Sequence, residues 1–450
     1  MIVSSETLSN RIDMDAVIAG DARLTVNQAM DLYHHASLHD LGRWSTAMAD
    51  RIHGRRIRTY VIDRNINYTN VCSANCTFCA FKRDRDQPDA YTLNTAQLQE
   101  KVEQLCRIGG TQILLQGGMH PDLSIGFYEN MLRGLKSDFP SLHVHGFSPP
   151  EFVEFVAVFE MDGFATPGPN RSHEMEWSAW CAKLEVIMSR LQEAGLDSVP
   201  GGGGEIFAEG VRRRIGLGKA SARQWLEVMA TAHRLGMFTS ATMMFGHIEG
   251  IADRIDHMQQ VRRMQDQAIE NDWSGRYVSF IAWPFQRENT PMGRLPDWDP
   301  DQGGPFPGDL LADGLEHREA GKVLRMAGAT EYLRMQALSR LFLDNVPSIG
   351  SSWVTMGPKI GQIALYYGAN DMGSVMMEEN VVSAAGTTHC LNEPLLCHLI
   401  RTAGFVPAQR NNRYQHLKVH DGKDAPDLQV EDWSAHRSSR LHVEASEMPV

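Results

Sequence analysis

The sequence predicts an α/β protein: a (β/α)8-type TIM barrel preceded by helices and followed by a polar tail. Three observations carry that expectation. From about residue 60, short β-rich runs alternate with helical runs about eight times, the order of a parallel barrel with right-handed crossovers. The loops richest in Gly, Pro, His and Glu nearly all follow the strand runs, and barrels carry their sites at the C-terminal ends of strands. Three cysteines, Cys72, Cys76 and Cys79, stand where the first strand run ends.

Composition narrows the function. The chain has 450 residues, 42% apolar and 22% charged, which leaves ample material for a core. Its net charge of −12, from 43 basic and 55 acidic residues, argues against a general nucleic-acid or acidic-membrane binder. Residues 1–11 are polar and carry no secretory signal, and no apolar run approaches the length of a membrane span. Seven cysteines without regular spacing predict a reducing, cytoplasmic setting. The expected division is an N-terminal helical segment over 1–57, the barrel over 58–410 and a poorly ordered, polar tail over 411–450.

Residues 25–49 read as helices with Ala29, Leu32 and Tyr33 as an apolar group, and the basic cluster over 51–58 reads as solvated surface. Residues 60–71 form the first strand run. Helix 95–108 stops at Gly109-Gly110 and carries the stripe Leu98, Val102, Leu105, on which Cys106 is expected in the core. A buried strand over 111–116, a helix over 127–138 and a strand over 142–147 follow. The Gly- and Pro-rich stretch 161–173 reads as a surface insertion before the helix of Trp180, Leu184, Ile187 and Leu191. Beyond the short strand 196–199, Ser221 with Gln224 predicts a capping box opening a helix to Leu235. Strand 239–245, helix 251–270 and strand 277–283 continue the alternation. Residues 294–321 read as a long irregular loop, 331–343 as a helix, 349–354 as a strand, 360–367 as a helix and 395–402 as the last helix; 372–382 has no clear pattern. Cys181, Cys390 and Cys397 read as packing residues.

The cysteine spacing is C-x3-C-x2-C, in Cys72-Ser73-Ala74-Asn75-Cys76-Thr77-Phe78-Cys79. Three thiolates can hold three irons of a [4Fe–4S] cube, which leaves one iron for a ligand from outside the chain. A zinc site usually has four ligands, commonly as C-x2-C pairs, and no second pair exists here. Other strand-end loops complete a set of candidates. Gln116-Gly117-Gly118 lets the backbone approach a ligand closely. Pro200-Gly201-Gly202-Gly203-Gly204-Glu205 has no Gly-Lys-Ser ending and is not a nucleotide P-loop; Glu205 suits hydroxyls or an amino acid better than an anion. His120, His143, His145, His247 and Glu249 cluster near strand ends, with His143 and His145 on one strand face.

With Phe78 before its last thiol, the cysteine octapeptide resembles the signature of the radical S-adenosylmethionine (SAM) superfamily. Five further stretches, over 65–72, 116–123, 145–151, 194–203 and 241–247, resemble the radical SAM enzymes of the menaquinone (futalosine) pathway and their relatives in deazaflavin (FO) synthesis. Tyr68, Trp283-Pro284-Phe285-Gln286, Ser352-Trp353-Val354-Thr355 and Met376-Met377-Glu378-Glu379-Asn380 resemble the branch that acts on dehypoxanthine futalosine. Gly204, where relatives more often carry alanine, and the stretch 161–173 depart from the pattern.

The resemblance implies a barrel of the radical SAM kind, with Cys72, Cys76 and Cys79 holding a [4Fe–4S] cluster whose open iron chelates SAM. It places Gln116, Gly117 and Gly118 at the methionine amino group and makes Phe78, Ser148 and Glu205 further cofactor-side candidates. His145, His247 and Glu249 become catalytic candidates, Glu151 another proton acceptor, and Arg287 the partner of a substrate carboxylate. Dehypoxanthine futalosine is the implied small-molecule substrate, with an electron donor such as flavodoxin or ferredoxin. Aminofutalosine synthase and FO synthase-type enzymes are the neighbouring alternatives. A non-catalytic iron–sulfur sensor or scaffold is the alternative of another class, and it has no use for the ring of strand-end loops.

Overall fold

The computed structural model describes residues 12–164, 175–302, 304–310, 320–378, 380–387 and 389–433. The run expected as one strand over 60–71 is two strands, β1 (Ile57–Val61) and β2 (Asp63–Asn67), joined at Ile62. They are followed by β3 (Asn75–Cys76), β4 (Gln112–Gln116), β5 (His143–Gly146), β6 (Ser198–Val199), β7 (Gly216–Leu217), β8 (Phe238–Phe245) and β9 (Tyr277–Pro284). The last are β10 (Ser348–Ile349), β11 (Asp371–Ser374), β12 (Val406–Arg410) and β13 (His416–Val419).

Seven strands form one parallel sheet in the order β10-β9-β8-β6-β5-β4-β2. The chain itself closes the ring. Through Ile62, β2 continues back into β1, and β1 pairs in parallel with β11 at Thr59↔Asp371. Two hydrogen bonds then join β11 to the end of β10: Asn370 N–H donates to the Ile349 carbonyl at 3.1 Å, and Ser351 N–H to that of Asp371 at 2.8 Å. Counting β1 and β2 as one stave, the ring has the eight staves of the expected barrel. The closing stave, β11, takes in the first residues of the stretch 372–382, which has no clear pattern in the sequence.

Helices cover the outside. Capping boxes start them at Thr25/Gln28, Asn94/Gln97, Ser148/Glu151 and, as expected, Ser221/Gln224. Helix Ala329–Phe342 is buried on nearly every side, because the N-terminal helix Leu38–His53 packs over it. That layer is fixed by polar pairs as well: Arg262 Nη1 donates to the Leu24 carbonyl at 2.7 Å, and Arg262 Nε lies 2.7 Å from Asp344.

Several expectations need correction. Cys106 is exposed, since it follows Leu105 by one residue and so turns about 100° away from the buried Leu98–Val102–Leu105 stripe. Arg58, expected at the surface, is fully buried, with Nη2 2.8 Å from Asp50 and its guanidinium 4.2 Å from the Phe405 ring. Strand 349–354 ends after Ile349, because Ser352 N–H donates to Tyr332 Oη instead of to the sheet, and a short helix, Trp353–Met356, begins. The tail after Asn411 is ordered as far as residue 433: β13 pairs antiparallel with β12, and β12 pairs in parallel with β1. Arg401 anchors this segment through Asp427 at 2.6 Å. Most of the expected insertion over 161–173, part of the loop 294–321 and the tail beyond 433 lie outside the described residues. Among the described residues no helix is long and apolar enough to cross a membrane.

Candidate active site

Cys72, Phe78, Cys76, Cys79, Gln116, Gly117, Gly118, His145, Ser148 and Glu205 all line one cavity of about 500 Å³ inside the ring. The cysteine loop is held from three sides. Cys76 sits on β3, which pairs with β7 at Cys76↔Gly216. Thr77 N–H donates to the Ile215 carbonyl at 2.8 Å, and Ser73 N–H to the Met119 carbonyl at 2.9 Å. Met119 N–H donates in turn to the Cys72 sulfur at 3.3 Å, the kind of bond that tunes a cluster-bound thiolate. Burial pushes the Cys76 thiol up to about 12 and the Cys72 thiol upward, unlike the low-pKa thiols of redox catalysts. Among the described residues no three His, Cys, Asp or Glu side chains converge on one ion. Thiolates on a cube each hold a different iron, so half-buried thiols that frame a space suit a cluster better than a single metal.

The Gly117-Gly118 loop lies against that frame with no room to spare. A Cβ at Gly118 would fall 2.1 Å from the Val71 carbonyl oxygen and 2.9 Å from Cys72 Cβ; one at Gly117 would fall 2.5 Å from Tyr68 Cζ. Gly118→Ala should therefore displace the cysteine loop, cost about 1–3 kcal/mol and lower the iron retained per chain severalfold after anaerobic reconstitution. Wild-type iron content in that variant would show that the loops can part harmlessly.

Glu151 joins three loops at the cavity wall. Its Oε1 accepts from Tyr68 Oη at 2.7 Å and from Gly117 N–H at 3.0 Å, and its Oε2 accepts from the Ser148 N–H and hydroxyl, both at 2.7 Å. Burial outweighs these four donors and pushes the carboxyl up to about 7. Phe147 (φ 58°), just before Ser148, and Glu205 (φ 34°), on the loop after β6, occupy left-handed backbone that non-glycine residues seldom adopt, and such strain collects at functional sites.

The glycine run after β6 is rigidly docked. Gly201 donates to Ser240 Oγ at 3.0 Å and accepts from Thr242 Oγ1 at 2.6 Å, while Trp225 Nε1 reaches the Gly202 carbonyl at 3.1 Å. Arg212 binds the carbonyls of Gly203, Gly204 and Ile206. Glu205, at the end of the run, takes Lys219 Nζ at 2.6 Å, and the same ammonium lies 4.8 Å from the Phe78 ring. Lys219 thus ties the glycine run to the cysteine loop.

His145 lies in the wall as a neutral ring. Its Nδ1 is 2.6 Å from Ser198 Oγ, which also meets His143 Nε2 at 2.7 Å. Burial, with His143 and Arg410 nearby, lowers His145 to about 3. His143 shares the strand face but does not line the cavity. His120 Nδ1 accepts from Asp122 N–H at 3.2 Å and does not line the cavity.

His247 and Glu249 are the corrections among the catalytic candidates. Both are fully buried and neither lines the cavity. Glu249 accepts from Gly246 N–H at 2.7 Å, His247 N–H at 2.9 Å and Arg254 Nε at 2.8 Å, and His247 Nδ1 lies 2.9 Å from its Oε2. Arg254 pairs further with Glu331, which accepts from Tyr33 Oη at 2.6 Å. This chain of pairs fastens the loop after β8 to the outer helices. Arg287, expected beside a substrate carboxylate, is also outside the cavity, bound to the Gly293 and Leu295 carbonyls and to Asp297 at 2.8 Å.

At the opposite end from the cysteines the cavity has a polar floor that the sequence reading missed: Asp63, Gln112, Asp371, Arg410 and Tyr414. Arg410 Nε and Nη2 meet Asp371 at 2.5 and 3.0 Å, and the guanidinium stacks 3.8 Å from the Tyr414 ring. Between floor and cysteines the wall is apolar, with Met244, Val278, Ile281, Trp283, Phe285 and Trp353.

Comparison with known proteins agrees with this geometry. The model of the radical SAM superfamily matches residues 66–261, and that of the CofH/MqnC C-terminal region matches residues 311–422. A cyclic dehypoxanthine futalosine synthase of Halalkalibacterium halodurans is 37% identical, covering 90% of this chain and 94% of that protein. A 5-amino-6-(D-ribitylamino)uracil–L-tyrosine 4-hydroxyphenyl transferase of Methanopyrus kandleri is 36% identical over 80% and 85% of the two chains. An aminodeoxyfutalosine synthase of Thermus thermophilus is 34% identical over 90% and 95%. Among solved structures, methylornithine synthase (PylB) shares the fold, with a TM-score of 0.58 at 16% identity, over 88% of this chain and 97% of that one.

Proposed function

Because the chain belongs to the radical SAM superfamily, among the CofH/MqnC enzymes, we propose that it cyclises dehypoxanthine futalosine to cyclic dehypoxanthine futalosine in menaquinone biosynthesis. The observation that carries the reading is the single cavity that gathers the three thiols, the glycine loops and an apolar wall, in a chain 37% identical to a synthase of that name. Bound in this cavity, a [4Fe–4S] cluster and SAM, the superfamily's cofactors, would supply hydrogen-atom abstraction.

The chain's own residues bind, aim and exclude water. Cys72, Cys76 and Cys79 would hold the cluster. Gln116, Gly117, Gly118, Ser148 and Glu205 would hold SAM, with Phe78 and Lys219 bracing the two loops. Glu151 is the positioning residue for the Gly117 amide. In the substrate, the ribose C4′ would give a hydrogen atom to the SAM-derived radical and bond to the aromatic ring, and the electron and proton then lost would go to the oxidised cluster and to a basic group on the cavity wall. The apolar wall of Trp283, Phe285 and Trp353 suits the aromatic ring. His145, held neutral by burial, serves as a hydrogen-bond partner to the substrate. A small low-potential carrier such as flavodoxin or ferredoxin is the proposed electron donor.

An anaerobic assay with SAM and dithionite tests the reading. Dehypoxanthine futalosine should yield its cyclic product together with 5′-deoxyadenosine, while an enolpyruvyl benzoate supplied beside it should remain unconsumed. The reverse outcome would assign the chain to the aminodeoxyfutalosine synthases.

A further inference from the structure

We propose that the floor of the cavity is a subsite for sugar hydroxyls, in which Asp63 accepts hydrogen bonds from the vicinal hydroxyls of the substrate's ribose and orients the ring. The inference rests on the function proposed above and adds the orientation of the substrate.

Asp63 begins β2, and the cysteine loop follows the other end of that strand. The four steps from Asp63 to Asn67 span roughly 13 Å at the usual strand rise, so floor and cysteines face each other across the length of the cavity. The Asp63 side chain lines the cavity and keeps part of its surface open. Its Oδ1 accepts from Ser374 Oγ and its Oδ2 from Gln112 Nε2 at 3.0 Å, which leaves each carboxylate oxygen a further acceptor site. Beside it, Gln112 is almost wholly buried and its Oε1 has no hydrogen-bond partner. That oxygen is sealed from the cavity, so the acceptor the floor offers to sugar hydroxyls is the Asp63 carboxylate.

The same floor disfavours the substrate's carboxylate. Its guanidinium, Arg410, is engaged by both oxygens of Asp371 and by the Asn411 carbonyl at 3.2 Å. Asp371 is saturated in turn, by Thr59 Oγ1 at 2.6 Å and Gly373 N–H at 2.8 Å besides Arg410. Two carboxylates stand against one cation, and burial already pushes the Asp63 carboxyl up. A third carboxylate would meet repulsion; a neutral diol meets acceptors. With the hydroxyl edge on the floor, the C4′ edge of the ribose faces the cysteine end and the aromatic ring lies along the apolar wall.

Trp283 and Trp353 line the cavity, so their fluorescence can report binding without turnover. The reconstituted holoenzyme with SAM is titrated with D-ribose and with 2-deoxy-D-ribose. D-Ribose should bind at least about tenfold more tightly, a difference of about 1.4 kcal/mol. Asp63→Asn should erase that preference and raise the KM for dehypoxanthine futalosine about tenfold, with no matching rise for SAM. Equal binding of the two sugars by wild type, or no binding of either, overturns the subsite, as does an unchanged KM in the variant. If Asp63→Asn does not fold, the two sugars on wild type decide alone. A wild-type chain that prefers D-ribose but leaves dehypoxanthine futalosine untouched would reject the proposed function and retain the subsite; turnover without sugar preference would do the opposite.

Discussion

Cys76→Ala should leave a folded protein that forms no 5′-deoxyadenosine. The side chain contributes little to packing: Cys76 is half-buried on a two-residue strand whose hold on β7 runs through backbone bonds that alanine keeps. Its thiol is instead one of three that frame the cavity mouth, and a cluster already short of a fourth protein ligand cannot spare another. We expect iron per chain to fall to background after anaerobic reconstitution, SAM cleavage with dithionite to vanish, and the thermal midpoint of the metal-free chain to stay within about a degree of wild type, since the change removes no core contact. Cys106→Ala is the control; that thiol is exposed on the far side of a helix and should change none of these readings. A Cys76→Ala protein that still carried a cluster and released 5′-deoxyadenosine would sink the cysteine assignment.

The barrel was legible in the sequence because its two signals are local. Strand runs such as 239–245 and amphipathic helices such as 95–108 announce themselves within a dozen residues, and the spacing of Cys72, Cys76 and Cys79 is a contact made by neighbours in the chain. The glycine loops were legible for a related reason: Gly117 and Gly118 stand where any Cβ would strike Tyr68 or Val71. What escaped was set by contacts between distant segments. Tyr414 read as part of a polar tail and Arg410 as the last residue of the barrel span with no role of its own, and only the pairing of β12 with β1 brings them under the barrel. Asp371 stands just before the stretch without a clear pattern, and a four-residue strand between two others needs none. Lys219 has no motif, yet the pairing of β3 with the distant β7 sets it between Glu205 and Phe78. His247 and Glu249 failed in the other direction. Position after a strand placed them correctly on a barrel loop, but sequence does not say which way a side chain turns, and Arg254 on the following helix draws Glu249 inward.

That inward turn predicts a stability defect where the sequence predicted a catalytic one. Glu249 is fully buried and holds three donors and His247; although burial alone would raise its pKa, His247 and Arg254 hold its carboxyl well below the usual carboxylate range. Removing the anion strands the buried Arg254 guanidinium, whose other partner, Glu331, also serves Tyr33. Breaking a buried pair from one side typically costs about 3–5 kcal/mol. Glu249→Ala should therefore lower the urea midpoint by an amount of that order, while turnover per cluster-loaded, folded molecule stays within a few-fold of wild type. The pH dependence follows from the depressed pKa. The ion pair adds its full stability above the ordinary carboxylate pKa of about 4.3 and loses it as pH falls toward the lower folded value. Wild type and Glu249→Ala should thus differ most at neutral pH and converge on strong acidification. A variant with wild-type stability and no cyclisation would return Glu249 to the chemistry; one that unfolds early but works while folded leaves the proton acceptor to be sought among the groups that line the cavity.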